Sequence, residues 1–122
     1  MKKLFSFIIL SFALLLTISV HAQQPISIAG TWNLNVETSA GSGTPEFTLK
    51  HSTDSTFEGT YRGQLGETPV KGTLKGNKFF LTFGVSNIDI EYSGTVDGDT
   101  MKGKVTLGTM GEGTFTGTRK KG

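Results

Sequence analysis

Residues 88–97 read Ile-Asp-Ile-Glu-Tyr-Ser-Gly-Thr-Val-Asp, and this stretch decides the fold. Ile88, Ile90 and Tyr92 alternate with acidic and hydroxyl residues, so every second side chain is apolar or glycine. A period of two places the apolar side chains on one face of a β-strand and the polar ones on the other. The stretch therefore predicts a half-buried antiparallel strand, and the Asp97-Gly98 pair at its end predicts a tight hairpin turn.

The same alternation recurs along the chain from Trp32 to Thr118, and no segment after residue 22 shows the period of a helix. Eight strands are predicted, at residues 32–36, 47–50, 57–63, 70–75, 79–85, 88–97, 101–107 and 114–118. The pattern favours an all-β domain folded as an eight-stranded antiparallel up-and-down barrel. A two-sheet sandwich would use the same pattern. The barrel is preferred because every connection resembles a hairpin and none is a long crossover.

The connections predict two different ends of this barrel. Asp54-Ser55, Gly76-Asn77 and Asp97-Gly98 are tight hairpin signals. The other connections are interpreted as looser, and they are Thr38 to Thr44, Gln64 to Thr68, Ser86-Asn87 and Gly108 to Gly111. Successive turns of a meander lie at opposite ends, so one end is predicted to be pinched and the other to carry longer loops.

The N-terminal residues indicate export. Met1-Lys2-Lys3 precedes an uncharged, largely apolar run from Leu4 to Val20, which ends in Val20-His21-Ala22. A basic start, an apolar middle and small residues at positions −3 and −1 are typical of a secretory signal peptide. We expect residues 1–22 to be cleaved and residues 23–122 to form one domain in the periplasm or the medium, with no stable membrane insertion. An uncleaved anchor is the alternative, but the run is shorter than the roughly 20 residues of a spanning helix.

Charge and cysteine content exclude several functions. Removal of Lys2 and Lys3 with the signal peptide would leave 10 basic and 10 acidic residues. A neutral surface lacks the positive footprint of a nucleic-acid-binding protein. The chain has no cysteine, which excludes a disulfide and a thiolate metal site. The domain must therefore rely on its apolar core.

Two motifs resemble those of the avidin and lipocalin-like barrels, the calycins. They are Gly30-Thr31-Trp32 in the first strand and Phe57-Glu58-Gly59-Thr60-Tyr61 in the third. The resemblance implies that Trp32 packs at the closed end and that ligands enter at the end with the longer loops. Tyr61 matches a biotin-binding tyrosine of the avidins, but Leu34 stands where they have asparagine, and the chain has one tryptophan. It therefore implies a related architecture without biotin binding.

The predicted function is binding of a small hydrophobic ligand at the loop-bearing end. The predicted lining is apolar with one phenol, and it consists of Val36, Phe47, Tyr61, Phe83, Ile88, Ile90 and Leu107, with Val85 and Met110 nearby. A barrel of this size can instead be filled by its own side chains. In that case the protein would be a non-catalytic interaction or accessory domain. Phe80 is predicted to face outward, where it could join a homo-oligomer contact or a docking face.

Catalysis and metal binding find little support in the sequence. His51 is the one histidine after residue 22, and it is interpreted as a strand-end residue that reaches solvent rather than a catalytic base. Asp97-Gly98-Asp99 lacks the further oxygen ligands of a calcium loop. No enzymatic activity, cofactor or metal site is predicted.

Overall fold

The computed structural model describes residues 26–121, which form nine β-strands. The predicted signal peptide, residues 1–22, lies outside the described residues. Within residues 26–121 there is no helix with the length and apolar character needed to cross a membrane. The strands are β1 (Gly30–Thr38), β2 (Gly41–Gly43), β3 (Glu46–His51), β4 (Thr56–Gly63), β5 (Gly66–Lys75), β6 (Lys78–Val85), β7 (Ile88–Asp97), β8 (Thr100–Leu107) and β9 (Glu112–Arg119).

Eight of these strands close into an antiparallel barrel. From β3 to β9, each strand pairs with the next along the chain, and β1 pairs with both β3 and β9. The closing pairs between β1 and β9 run from Trp32 opposite Arg119 to Thr38 opposite Gly113. The predicted up-and-down barrel is confirmed, and the sandwich alternative is wrong because closure leaves a single continuous sheet.

The ninth strand, β2, lies in a segment that was predicted to be a loop. Gly43 and Gly41 pair with Val36 and Thr38, on the part of β1 beyond its pairing with β3. The Thr38 hydroxyl donates to the Gly41 carbonyl oxygen at 2.8 Å, which holds the turn between β1 and β2. The sequence Gly-Ser-Gly has no apolar alternation to signal a strand, so only the exposed edge of β1 explains its conformation.

The barrel interior is the core. All the predicted strands direct their apolar positions inward, and Trp32 and Val105 are completely buried. The remaining members of the core are Ile28, Leu34, Val36, Phe47, Leu49, Phe57, Tyr61, Val70, Leu74, Phe79, Leu81, Phe83, Ile90, Tyr92, Val96, Met101 and Phe115. Burial of this apolar surface is the main stabilising contribution in a domain without cysteine.

Glycines on the inward face let the small barrel bend. A Cβ atom on Gly94 would overlap the carbonyl oxygen of Lys102 and lie 2.9 Å from the Cα atom of Gly103 on the paired strand. Gly59 approaches the backbone of Thr48 in the same way. Glycine at such close approaches lets strongly curved strands close into a small barrel, which is the role predicted for the repeated glycines.

Some of the predicted turns are wrong. Gln64-Leu65 and Ser86-Asn87, which were interpreted as looser connections, are two-residue hairpin turns. Ser86 and Asn87 both have positive φ, 52° and 66°, as a type I′ turn requires. The predicted tight turn at Asp54-Ser55 is instead the four-residue segment 52–55, and the last tight turn lies at residues 98–99.

The end of the barrel that carries Trp32 is closed by the residues before β1. Ile28 is completely buried there, and its carbonyl oxygen accepts a hydrogen bond of 2.9 Å from the Trp32 indole. The Arg119 guanidinium lies 4.4 Å from the centre of the Trp32 ring and donates to the carbonyl oxygens of Ser27, Ala29 and Gly98. The packing of Trp32 at a closed end agrees with the resemblance.

Candidate functional site

The opposite end, here called the loop end, carries the connections at residues 39–45, 64–65, 86–87 and 108–111. A cavity of about 170 Å³ opens there beneath the β2 segment. Its apolar wall comes from Val36, Leu65, Leu107 and Met110, and Gln64 lies beside β2 at the rim. The other lining residues are Thr38, Ala40, Gly41, Ser42, Gly43, Thr44, Pro45, Tyr61 and Tyr92.

An aromatic cluster forms the floor of this cavity. The ring of Tyr61 stacks on Phe83 with centroids 4.6 Å apart, and Tyr92 stacks on Phe83 at 6.1 Å. Phe47 meets Tyr61 and Tyr92 edge to face at 5.4 Å and 5.2 Å. Edge-to-face and offset-stacked rings attract each other beyond the effect of burial alone. The cavity can therefore deepen only if several of these ring contacts are broken.

The hydroxyl groups of two tyrosines contribute polar atoms to the cavity, alongside the side chains of Thr38, Ser42, Thr44 and Gln64. The Tyr61 hydroxyl oxygen accepts a long hydrogen bond of 3.5 Å from the Leu65 backbone N–H. Burial raises the pKa of Tyr92 far above its ordinary value, and the nearby Tyr61 raises it further. Burial also raises the pKa of Tyr61, against a smaller lowering by its bond from Leu65. Both groups are protonated at neutral pH and can donate hydrogen bonds.

The seven residues predicted to form the site all lie in the half of the barrel nearest the loop end. Val36, Tyr61 and Leu107 line the cavity itself. Phe47, Phe83 and Ile90 are buried below it, and Ile88 is partly buried against the core. The structure thus brings the seven predicted residues together at one end of the barrel. Three of them line the cavity and the other four pack beneath the lining.

Sequence reasoning missed Tyr92 and the contribution of β2. The lining was predicted to have one phenol, and the structure shows two. The alternation in β7 placed Tyr92 on the inward face with Ile88 and Ile90, but it did not indicate that the side chain reaches the cavity. Its length lets it reach the cavity from the middle of β7. The glycine-rich segment 40–44 gave no comparable signal because glycine and serine are also common in open loops.

The structure also shows what the barrel interior leaves for a ligand. Below the aromatic floor, buried side chains such as Leu49, Phe57 and Leu74 occupy the lower half of the barrel. Above it, the cavity is smaller than the usual range of ligand pockets, roughly 300–1,000 Å³. An apolar cavity of about 150 Å³ holds one benzene ring. The space therefore fits a molecule of one ring with a short substituent.

His51 supports the closed end rather than a reactive centre. Its Nε2 atom accepts a hydrogen bond of 3.1 Å from the backbone N–H of Ile28, and its Nδ1 atom lies 3.3 Å from the Thr53 carbonyl oxygen. These contacts correct the expectation that the ring simply reaches solvent. Among residues 26–121, no three histidine, aspartate or glutamate side chains are grouped so as to hold a metal ion.

Two shallow hollows interrupt the outer wall on either side of Phe80, whose side chain faces outward as predicted with 41% exposure. One, of about 500 Å³, lies over Gly72 and is lined partly by Phe57 and Phe80. The other, of about 680 Å³, lies over Gly94 and Gly103. Lys78, Lys102 and Lys104 also line this second hollow.

Comparison with known proteins defines the fold but no family. No protein-family model matches the chain, and no curated protein matches it. A de novo designed fluorescence-activating β-barrel is 17% identical, with a TM-score of 0.55 over 76% of this chain and 94% of that chain. EF1p2_mFAP2b bound to DFHBI is 14% identical, with a TM-score of 0.59 over 77% of this chain and 94% of that chain.

A natural barrel shows a similar likeness. Fatty-acid-binding protein 1 of Echinococcus granulosus is 9% identical, with a TM-score of 0.50 over 77% of this chain and 98% of that chain. At these identities the likeness shows the fold alone. The shared fold is a small antiparallel β-barrel, which is consistent with the architecture that the resemblance in the sequence implied.

Proposed function

We propose that this protein is a non-enzymatic binding protein that takes up a small hydrophobic molecule at the loop end of its barrel. The observation that carries the proposal is the cavity of about 170 Å³ between the aromatic floor and β2. Binding sites for small molecules are typically concave and mostly apolar with a few placed polar groups. Val36, Leu107 and Met110 provide the apolar wall, and the two tyrosine hydroxyls are among the polar groups of the lining.

The similar barrels support this proposal as an analogy of architecture. One of them is described as fluorescence-activating, one was solved bound to DFHBI, and one is named for fatty-acid binding. The cavity here suits a smaller molecule. Opening of the Gly41–Gly43 segment would enlarge the site because β2 is paired only with β1.

Binding of single-ring aromatic compounds tests the proposal. Styrene and toluene, titrated into the ¹⁵N-labelled protein, should shift the amide resonances of residues around the cavity with saturation. Val36→Phe and Leu107→Phe should weaken or abolish binding because the new rings occupy the cavity. Glu37→Phe is the matched control, since Glu37 lies next to Val36 on β1 but is exposed on the outer face.

Each variant is first compared with the wild type by its melting temperature, so that loss of binding is separated from loss of folding. Absence of saturable shifts with either compound in the folded wild type would refute the proposal. Equal binding by the wild type and both cavity-filling variants would show that the compounds bind elsewhere.

A second candidate is an interaction domain that uses the outer wall. The observation in its favour is Phe80, exposed between the two hollows, with three lysines around the larger one. Such a surface fits an acidic partner that presents apolar side chains. A stoichiometric partner captured from an envelope extract by the wild type, and lost with Phe80→Thr, would support it. Retention of that partner by Phe80→Thr would contradict it.

We also propose that the chain is exported and cleaved after Ala22, on the strength of the residue pattern at positions 1–22. Expression of the full chain in a bacterial host should give a product whose N-terminal residue is Gln23. Intact-mass and N-terminal sequence measurements on the periplasmic and cytoplasmic fractions test this. A product that retains residues 1–22 in the membrane fraction would instead support the anchor.

A further inference from the structure

The hydroxyl group of Tyr92 has an unusual position. The residue is 3% exposed and its ring is enclosed by Phe47, Phe83 and Phe115. No described residue makes a hydrogen bond to its hydroxyl. Yet every fully buried side-chain oxygen or nitrogen among residues 26–121 has a hydrogen-bond partner. The Tyr92 oxygen must therefore keep contact with accessible space, and the space that Tyr92 lines is the loop-end cavity.

A buried phenol normally finds a partner, because an unpaired polar group away from bulk water costs free energy. For Tyr92 the described residues supply none, so its partner is a molecule in the loop-end cavity, either water or a bound ligand. Tyr61 contributes a second hydroxyl to the same cavity. Its oxygen accepts from the Leu65 N–H, which leaves its proton free to be donated. The cavity thus offers hydrogen-bond donors at its inner end.

We propose that the molecule bound at the loop end carries a neutral hydrogen-bond acceptor, such as a ketone or aldehyde carbonyl, and that Tyr92 donates to it. This inference rests on the function proposed above and adds the chemical class of the ligand. In this assignment Tyr92 is the residue that selects the ligand. The apolar wall would hold the ring of the same molecule.

The absence of charge in the lining explains why the acceptor is neutral. None of the residues that line the cavity carries a charged side chain. Arg62, at the end of β4 near this end of the barrel, is engaged on the outside by Glu67 and Glu46 at 2.7 Å and 3.4 Å. A carboxylate buried in the cavity would therefore have no compensating cation, and burial of an uncompensated charge is strongly unfavourable. A carbonyl oxygen avoids this cost and still satisfies the phenol.

The size of the cavity fixes the rest of the ligand. About 170 Å³ accommodates one aromatic ring and a substituent of two or three heavy atoms. Acetophenone meets both requirements. Its carbon analogue α-methylstyrene has the same shape, with a CH₂ group in place of the carbonyl oxygen. The pair differs chiefly in the ability to accept a hydrogen bond.

Titration of acetophenone and α-methylstyrene into the wild type and into Tyr92→Phe tests the inference. The preference for acetophenone over α-methylstyrene, expressed as the ratio of their dissociation constants, should be roughly threefold to tenfold larger in the wild type than in Tyr92→Phe. This is the size expected for one neutral hydrogen bond. The affinity for α-methylstyrene should change less than about twofold, because Tyr92→Phe removes only the hydroxyl. The carbonyl stretching band of bound acetophenone should shift to lower frequency in the wild type and not in the variant.

The outcomes distinguish the two proposals. If neither compound binds the folded wild type, the proposed function fails and this inference fails with it. If both bind and Tyr92→Phe leaves their relative affinity unchanged, the binding function stands and the assignment to Tyr92 is overturned. If the preference survives Tyr92→Phe but disappears in Tyr61→Phe, the assignment to Tyr92 is likewise overturned.

Discussion

Replacement of Gly59 by alanine should force apart the wall of the barrel between β3 and β4. A Cβ atom at this position would overlap the carbonyl oxygen of Thr48. It would also lie 2.8 Å from the Thr48 carbonyl carbon and 2.9 Å from the Leu49 Cα atom. Carbon atoms in favourable contact are about 3.5–4.0 Å apart, so the strands would have to separate locally by about 1 Å. The atoms in the way belong to the backbone, which cannot yield by a change of rotamer.

The expected cost follows from this geometry. Overpacking of a well-filled interior costs about 1–3 kcal/mol, and separation of the strands also weakens a ladder hydrogen bond worth about 1 kcal/mol. We expect Gly59→Ala to lower the free energy of unfolding by about 3 kcal/mol. For a domain of about 100 residues this corresponds to a fall of roughly 10–25 °C in melting temperature.

Urea unfolding measures the effect directly. Trp32 is the single tryptophan and is completely buried, so its fluorescence reports the unfolding of the barrel. Gly84→Ala is the matched control. A Cβ atom there meets nothing closer than the Ile88 carbonyl oxygen at 3.8 Å. Alanine at this position should be neutral or stabilise by about 0.5 kcal/mol, since it restricts the unfolded chain.

Two results would refute the reasoning. One is a Gly59→Ala variant whose stability lies within about 1 kcal/mol of the wild type. The other is an equal loss of stability in Gly84→Ala, because the effect would then belong to strand glycines in general rather than to the close approach at Gly59.

Three further predictions concern other parts of the barrel. Arg119→Lys should lower the urea-derived free energy of unfolding by about 1–2 kcal/mol, because an ammonium group cannot replace the planar guanidinium that reaches three carbonyl oxygens. Asp99→Asn should cost less, because the Asp99 carboxylate that pairs with Arg119 is 63% exposed. A larger loss in Asp99→Asn than in Arg119→Lys would contradict this. Because burial raises the pKa of Tyr92, stability should be unaffected by this group below about pH 10 and should fall as the pH rises further. Trp32 fluorescence measures the loss of stability and tyrosinate absorbance measures the ionisation. The loss at high pH should be smaller in Tyr92→Phe than in the wild type, and an equal loss in both proteins would contradict the prediction. Ser86→Asn combined with Asn87→Gly should stabilise by about 0.5 kcal/mol, because both positions have positive φ; a lower urea midpoint would argue against the assigned turn.

The candidate site shows where sequence reasoning reached its limit. The alternation of inward-facing and outward-facing residues along the strands was sufficient to place Val36, Tyr61 and Leu107 on the inner face near one end of the barrel. It did not separate these lining residues from Phe47, Phe83 and Ile90, because depth along the barrel axis depends on the stagger of neighbouring strands. The same reason explains the omission of Tyr92, whose side chain reaches the cavity from the middle of β7.

The connections show a second limit. Ser86-Asn87 was interpreted as a looser connection, yet pairing of β6 with β7 holds both residues at positive φ in a two-residue turn. The Gly41–Gly43 segment becomes a strand because β3 leaves part of the edge of β1 unpaired. Unpaired backbone groups on a strand edge favour the addition of another strand. Neither outcome is encoded in the local residues alone.

The sequence by itself determined the all-β class, the inward and outward faces of the eight main strands, and the need for glycine where the wall bends. These properties are local, because a period of two and a missing Cβ act within one strand or between immediate neighbours. Closure of β1 onto β9, the short strand β2 and the cavity beneath it were decided only by the tertiary structure. They depend on pairs of residues far apart in the chain and on the volume left after the aromatic rings pack, and neither quantity is visible until the barrel is closed.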